Sequence, residues 1–115
     1  MRNFRELDVW KSSVLFVKKI YELTDTFPNI ERYNLISQIS RCAVSIPSNI
    51  AEGCSRNSQK DFSRFLQISL GSSFELETQI EIAKELNFIS VEQYVAIISE
   101  LNTNSKKNTI FEKIC

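Results

Sequence analysis

Residues 59–87 repeat small and apolar residues at an alternating spacing of three and four. The repeating positions are Phe62, Leu66, Ser69, Ser73, Leu76, Ile80, Ala83 and Asn87. An average spacing of 3.5 residues matches the turn of a supercoiled α-helix, whereas a strand repeats every two residues. Ser58 is a suitable N-cap, with Asp61 three positions later. The pattern therefore predicts one long helix from about residue 59 to residue 86, packed against other helices along a single seam.

A first helix is predicted from about Leu7 to Phe27. Its apolar seam is expected to contain Leu7, Trp10, Val14, Val17, Tyr21 and Thr24, which are three and four residues apart. Asn3 and Glu6 have the spacing of a capping box at its start. Pro28 should end it, because the residue before a proline avoids helical backbone angles.

A second helix is predicted from about Glu31 to Cys54. Its seam is expected to contain Leu35, Ile39, Cys42, Ile46 and Ile50. Pro47 lies inside this segment and removes one backbone hydrogen bond, so the segment either bends or divides into two helices. The apolar period stays in phase on both sides of Pro47, which favours a bend. Gly53 is expected to stop the helix.

The bend at Pro47 leaves two interpretations open for its neighbourhood. Pro47 leaves a carbonyl near Ala43 without its usual donor, and Ser48, Asn49 or another helix could supply one. This would form a polar pocket that binds something. Alternatively, the bend only wraps the helix around its neighbours.

A fourth helix is predicted to begin after Ser90, with Gln93 completing a capping box. Its seam is expected to contain Val91, Tyr94, Ile98 and Leu101. The seam turns polar at Asn104, Ser105 and Asn108, and apolar residues return at Ile110, Phe111 and Ile114. The helix is therefore predicted with a regular seam only to about residue 102.

These segments predict an all-α fold, an antiparallel up-and-down four-helix bundle formed by residues 1–115 as one domain. The chain has only 2 glycines and 2 prolines, too few for the many tight turns of a β-protein. Gly71 lies among Ser69, Ser72 and Ser73 in the middle of the third helix. Because a mid-helix glycine is unfavourable, we expect it to have a packing reason.

The residue types exclude most catalytic chemistry. The chain has no histidine, which is the commonest general base and metal ligand. Cys42, Cys54 and Cys115 have no CxxC spacing, and the first two lie about 18 Å apart on one helix, so we expect reduced thiols in a cytoplasmic protein. The sequence therefore predicts no enzyme, no metal, no cofactor and no small-molecule substrate. It also lacks the apolar run of a membrane helix.

The charges are balanced in number but unevenly distributed. Lys and Arg total 14, as do Asp and Glu. Basic residues that could bind nucleic acid are Arg41, Arg56, Lys60 and Arg64, with Arg32 nearby in the sequence. Residues 75–100 are acidic instead. Two interpretations stay open: a phosphate-binding face, or basic faces that pair with acidic faces within or between subunits.

Four sequence blocks resemble a known family. They are FRELDVW at 4–10, SIPSNIAEG at 45–53, FSRFL at 62–66 and GSSFELE at 71–77. Together they are similar to the small four-helix-bundle proteins encoded in intervening sequences of bacterial 23S ribosomal RNA genes. The accessory variability determinant of diversity-generating retroelements resembles the same group. The family's motif positions fall here on Arg41, Ser45, Pro47, Asn49, Glu52, Gly53, Arg56, Arg64 and Glu75.

The resemblance implies a bacterial, cytoplasmic bundle that assembles as a homopentamer and binds structured RNA or a ribonucleoprotein through basic surfaces. This chain differs in its polar stretch at 104–108 and in its balanced charge, since the retroelement relatives are strongly basic. A protein-interaction scaffold without a nucleic-acid role is the alternative. It is motivated by Phe16, Phe65 and Phe74, which lie outside the predicted seams and are expected to be exposed.

Overall fold

The computed structural model consists of four α-helices joined by short connections. It describes the backbone of residues 2–114 and the side chains of residues 2–107. The helices span Asp8–Thr24 (α1), Leu35–Cys54 (α2), Gln59–Glu85 (α3) and Val91–Ile114 (α4), and 3₁₀ turns span Phe4–Glu6 and Asn29–Glu31. The backbone described at 2–114 contains no strand, so the prediction of an all-α fold is confirmed.

Contacts between helices show that neighbours run antiparallel. Ser12 of α1 bonds to Asn104 of α4, and Lys19, further along α1, pairs with Glu100, which comes earlier in α4. Between α2 and α3, Cys42 bonds to Ser72, whereas the later residue Ile46 bonds to the earlier residue Ser69, so these helices are antiparallel as well. The bundle measures 44 × 25 × 20 Å, as expected for rods lying side by side. The predicted up-and-down arrangement is therefore confirmed.

The alternating directions give the bundle two chemically different ends. At one end, the chain start lies against the close of α2, where the Arg2 amide donates to the Cys54 carbonyl at 3.2 Å. We call this the α2–α3 end. At the other end, the connection after α1 meets the connection after α3, with the Phe27 and Phe88 ring centroids 5.5 Å apart. We call this the α3–α4 end.

The predicted seam of α1 is only partly right, since Leu7, Trp10 and Val17 pack against the edge of the core but are only partly buried. The buried residues of the helix are Val9, Ser13, Phe16, Ile20, Leu23 and Thr24, so only Thr24 was predicted. Val14 is 40% exposed and Tyr21 is 49% exposed. Both sets of residues have a three-and-four spacing, and packing selected the other face. Phe16 is consequently a core residue and not an exposed one.

The N-cap predicted for α1 belongs instead to the 3₁₀ turn Phe4–Glu6. The Asn3 side chain accepts from the Arg5 amide at 3.2 Å and caps the 3₁₀ turn that precedes the helix. The helix itself begins after Leu7, whose side chain provides no capping hydrogen bond. The chain therefore makes a separate turn before it enters α1.

Helix α2 is continuous through Pro47, so the chain forms one helix there and not two. All five predicted seam residues are buried. Gly53, however, does not stop the helix, which continues to Cys54 without a positive φ at either glycine of the chain. A Cβ at Gly53 would lie 2.9 Å from the Cβ of Phe65. Gly53 therefore allows α3 to approach α2 closely.

Helix α3 follows its predicted seam from Phe62 to Ala83, and the Ser58 hydroxyl accepts from the Asp61 amide as expected. Asn87 is instead exposed at φ 61° and ends the helix. The Phe88 amide donates back to the Ala83 carbonyl at 2.9 Å, which closes a Schellman motif.

Two further expectations for α3 are wrong. Phe65 is buried, because it packs under α2 beside Gly53. A Cβ at Gly71 would have no atom within 4 Å, so Gly71 has no packing reason within the bundle. Phe74 is 63% exposed, as predicted.

Helix α4 starts with the predicted capping box. The Ser90 amide donates to Gln93 Oε1 at 2.8 Å, and the Gln93 amide donates to Ser90 Oγ at 3.0 Å. The helix extends to Ile114, well past the predicted limit. The predicted seam is only partly right, because Leu101 is buried but Val91 is 64% exposed, and Ile97, which was not predicted, is buried. Asn104 is buried too and bonds to Ser12 of α1. The predicted apolar side chains at 110, 111 and 114 lie outside the side chains described, as does Cys115.

Candidate nucleic-acid interface

The α2–α3 end gathers most of the predicted basic residues. Arg56 lies in the turn after α2, and Lys60 and Arg64 lie one and two turns into α3. Lys60 and Arg64 are exposed, and neither forms an ion pair within the part of the chain that the structure describes. Their charges are therefore available to a ligand.

Phe65 holds two of these arginines. The guanidinium carbon of Arg56 lies 4.7 Å from the ring centroid of Phe65, and that of Arg64 lies 4.9 Å from the same centroid. Stacking on an aromatic face orients a guanidinium group while leaving its N–H donors free to bond elsewhere. Arg56 also pairs with Glu52 at 3.0 Å, and its Nε is buried without a hydrogen-bond partner. Of the two arginines, Arg64 therefore has fewer interactions within the protein.

Two arginines that sequence reasoning missed join this end. Arg2 stacks on the Phe62 ring, 3.9 Å from its centroid, and donates to Gln59 at 2.5 Å. Arg5 lies over Phe4 and lines the same cavity as Arg2. The two arginines on either side of Phe4 in the first five positions were the available signal. Only the docking of the chain start against α2 places these residues next to α3.

The basic cluster is defined here as Arg2, Arg5, Arg56, Lys60 and Arg64. A cavity of about 330 Å³ opens beside it, between the chain start and the close of α2. Clustered guanidinium and ammonium groups next to aromatic rings are suited to phosphate groups and stacked bases. The cluster can bind an anionic polymer, but it contains no arrangement for nucleophilic or acid–base catalysis.

The α3–α4 end has the opposite character. Its one lysine, Lys84, lies 3.2 Å from Glu81 and 3.7 Å from Glu85, and sits over the Tyr94 ring. Hydrogen bonding with Tyr94, and then with Lys84, lowers the pKa of Glu81. Hydrogen bonding to Glu81 raises the pKa of Lys84. Lys84 is therefore already engaged by carboxylates, and the exposed Arg32 in the connection before α2 stacks on no aromatic ring of the described residues, so this end lacks the stacked arginines of the α2–α3 end.

Arg41 lies away from the basic cluster. It is 15 positions before Arg56 in the chain, which corresponds to roughly 20 Å along α2. It lines a separate cleft between α2 and α3, together with Glu75. The structure therefore brings three of the four predicted nucleic-acid-binding residues together and leaves the fourth elsewhere.

The predicted motif residues of α2 bond mainly to its backbone. Ser45 Oγ donates to the Cys42 carbonyl at 2.7 Å, and the side-chain Nδ2 of Asn49 donates to the Ser45 carbonyl at 2.8 Å. From α3, Ser69 Oγ donates to the Ile46 carbonyl at 2.9 Å. These polar groups support the helix around buried Pro47. Glu52 instead faces the α2–α3 end, where it holds Arg56.

The two cysteines within the described residues lie in the core. Cys42 and Cys54 are both buried thiols and are not joined in a disulfide. Burial, and secondarily the charge of Glu75, raises the pKa of Cys42 to about 11. A thiol with this pKa stays protonated at neutral pH and is a poor nucleophile.

The described residues contain neither a candidate metal site nor a membrane-spanning helix. They contain no group of three or more His, Cys, Asp or Glu side chains placed to hold a metal ion. None of their helices is both long and apolar enough to cross a membrane.

The fold and the basic cluster define a small helical bundle with a candidate anion-binding end. The sequence model of the 23S rRNA-intervening sequence protein family matches residues 5–109, which is most of the chain. This chain therefore belongs to the 23S rRNA-intervening sequence protein family, as the four sequence blocks predicted.

A solved structure supports the assignment. It is a protein of unknown function from the S23 ribosomal protein family of Bacteroides thetaiotaomicron, with 28% sequence identity and a TM-score of 0.84. The alignment covers 91% of this chain and 98% of that protein. Comparison with curated proteins gave no match.

Proposed function

We propose that this chain is a non-catalytic, cytoplasmic bundle that binds structured RNA, alone or within a ribonucleoprotein, through the α2–α3 end. The observation that carries the proposal is the stacking of Arg2, Arg56 and Arg64 on two phenylalanine rings at that end. A stacked guanidinium group has lost part of its rotamer freedom before it meets a phosphate, so less entropy is lost on binding. Cations beside aromatic rings are suited to both the phosphates and the bases of RNA, which favours RNA as the polymer.

The balanced charge of the whole chain is compatible with this proposal. An RNA chain interacts mainly with the charges near its binding surface, because screening limits electrostatic interactions to about 10 Å at 0.1 M salt. The bundle is 44 Å long, so carboxylates at the far end are screened from the basic cluster. A homopentamer, which the resemblance implies, would repeat the same end five times and strengthen a modest contact.

The test is a titration of structured 23S rRNA fragments at about 50 mM salt, where phosphate contacts are strong. We expect binding that weakens as salt rises. The variant Arg64→Glu should lower affinity by about tenfold to a hundredfold, since it removes one charge-assisted contact and adds repulsion. Arg56→Glu should have a smaller effect, because Arg56 already pairs with Glu52.

The matched control is Arg32→Glu, which makes the same substitution at the opposite end of the bundle. It should change affinity less than twofold, because only the α2–α3 end is proposed to contact RNA. Binding that does not depend on salt, or equal losses for Arg32→Glu and Arg64→Glu, would contradict the proposal.

The second candidate is a scaffold that acts through assembly, and the outer face of α3 favours it. Ile68, Phe74 and Ile82 are 41%, 63% and 44% exposed on this side, around the open space at Gly71. A glycine with no neighbour inside the bundle leaves a dent that another apolar side chain could fill. Exposed apolar residues beside a dent are typical of subunit interfaces.

This candidate is tested by light scattering after size exclusion. We expect the unmodified chain to assemble and Phe74→Glu to shift it toward the monomer, because a carboxylate is costly in an apolar interface. Tyr33→Glu, at a side chain that is 86% exposed in the connection before α2, serves as the control and should leave the mass unchanged. A strictly monomeric chain would rule out assembly through this face.

A further inference from the structure

The cleft between α2 and α3 is separate from the basic cluster and has its own polar lining. It has a volume of about 330 Å³ and is lined by Gln38, Arg41, Cys42, Ser45, Ser72, Glu75 and Gln79. This volume is at the lower end of small-ligand sites and about ten times the volume of one water molecule. The cleft is therefore large enough for a small metabolite.

Gln79 is an unusual residue on this lining. Its side chain is buried, with only 8% of the residue exposed, and its Oε1 atom has no hydrogen-bond partner. Leaving a buried carbonyl without a partner is unfavourable, so most such groups bind a donor. A ligand with an N–H group would provide that donor.

The two walls of the cleft favour ligand groups of opposite charge. On α3, Glu75 and Gln79 are four residues apart and share one helix face, which presents a carboxylate and an amide oxygen. On α2, Arg41 presents guanidinium donors. Within the described residues neither Arg41 nor Glu75 has an ion-pair partner, so each charge is available.

We propose that this cleft binds a small zwitterion of the size of a free amino acid. Its ammonium or guanidinium group would lie between Glu75 and Gln79 Oε1, and its carboxylate would face Arg41. A net neutral ligand with separated charges matches one wall of acceptors and one wall of donors. This site is independent of the proposed RNA contact, since Arg41 lies roughly 20 Å along α2 from Arg56.

The floor of the cleft is suited to binding and not to turnover. The Cys42 thiol donates to the Ser72 carbonyl at 3.7 Å, and Ser45 Oγ donates to the Cys42 carbonyl. Burial keeps the thiol protonated, because it raises the pKa of Cys42 to about 11. Glu75, the carboxylate beside Cys42, adds to this effect and does not activate the thiol, because its negative charge disfavours the thiolate.

The experiment is a thermal-shift screen of the full chain with each of the twenty free amino acids at about 10 mM. A ligand present at ten times its Kd should raise Tm by about 3–6 °C. We expect at least one amino acid to do so. Its N-acetyl form and its carboxamide form should each lose most of the shift, because each removes one of the two charges.

Two variants locate the binding. Gln79→Leu keeps the side-chain volume, removes the unpartnered carbonyl and should fold at least as stably, but the ligand shift should disappear. Glu75→Gln removes the charge from a surface position and should abolish the shift as well. Glu77→Gln makes the same change elsewhere on α3, at a residue outside the cleft lining, and should retain the shift.

Three results would overturn the proposal. The first is no shift with any of the twenty amino acids. The second is an equal shift for Gln79→Leu and the unmodified chain. The third is loss of assembly in Glu75→Gln together with no ligand effect, which would assign the cleft to a contact between subunits.

Discussion

The two ends of the bundle turn the chain by different means. At the α3–α4 end the turn is built from local backbone signals: Asn87 in the left-handed region, followed by the capping box of Ser90 and Gln93. At the α2–α3 end the turn depends on close packing between helices, since Gly53 leaves no room for a Cβ beside Phe65. The α2–α3 turn also has a local cap at Ser58, but in addition it requires the close approach of two helices at Gly53.

The same contrast extends to charge. The lysine of the α3–α4 end is held by two glutamates. Arginines of the α2–α3 end are held mainly by the faces of Phe62 and Phe65, so their N–H donors remain available. The phenylalanine rings at the edge of the core therefore also orient the arginines of the candidate interface. Stability and RNA binding should be coupled at one end and separate at the other.

The largest expected effect is that of Phe62→Ala at the α2–α3 end. Phe62 is fully buried and also supports Arg2, so its truncation should lower the free energy of unfolding by about 3–5 kcal/mol. Phe88→Ala, at a half-buried phenylalanine of the other end, should cost about 1–2 kcal/mol. Urea denaturation of both variants measures the difference. Equal losses would show that the two ends are packed alike.

A smaller effect is expected for Gly53→Ala. The added methyl group would lie too close to Phe65, so α2 and α3 must separate slightly, at a cost of about 1–3 kcal/mol. The control is Gly71→Ala in the middle of α3, which has open space and should gain about 1 kcal/mol from helix propensity. Thermal unfolding should move in opposite directions for the two variants. A gain at Gly53 would refute the close approach.

The smallest effect is expected at the α3–α4 end. Asn87→Ala should lower stability by about 1 kcal/mol, because alanine is disfavoured at a positive φ. Asn87→Gly should be neutral or slightly stabilising, since glycine adopts this conformation without strain. Both are measured by chemical denaturation. RNA affinity should be unchanged in either variant, whereas a loss of affinity would place part of the interface at this end.

Several parts of the fold could be predicted because only one arrangement satisfied the local pattern. Helices α2 and α3 each have one dominant apolar face, and their seams were predicted correctly except for Asn87. The caps at Ser58 and Ser90 were predicted for a similar reason, since a capping side chain bonds within three residues of itself. These features depend on contacts within a single turn or along a single helix.

Helix α1 shows where the periodicity was insufficient. The set that contains Trp10 and Val14 and the set that contains Phe16 and Ile20 have the same spacing, and the second is buried. The helical period determines which residues share a face, but it does not determine which face meets another helix. That choice belongs to the packing of α1 against α2 and α4.

The candidate sites divide in the same way. The sequence by itself determined four amphipathic helices, the absence of histidine chemistry and the basic residues near the α2–α3 turn. Only the tertiary structure decided that Arg2 and Arg5 join those residues, that Arg41 does not, and that the buried Oε1 atom of Gln79 has no hydrogen-bond partner. The physical reason is that caps and seams arise from residues a few positions apart, whereas a binding surface requires side chains from different helices to meet.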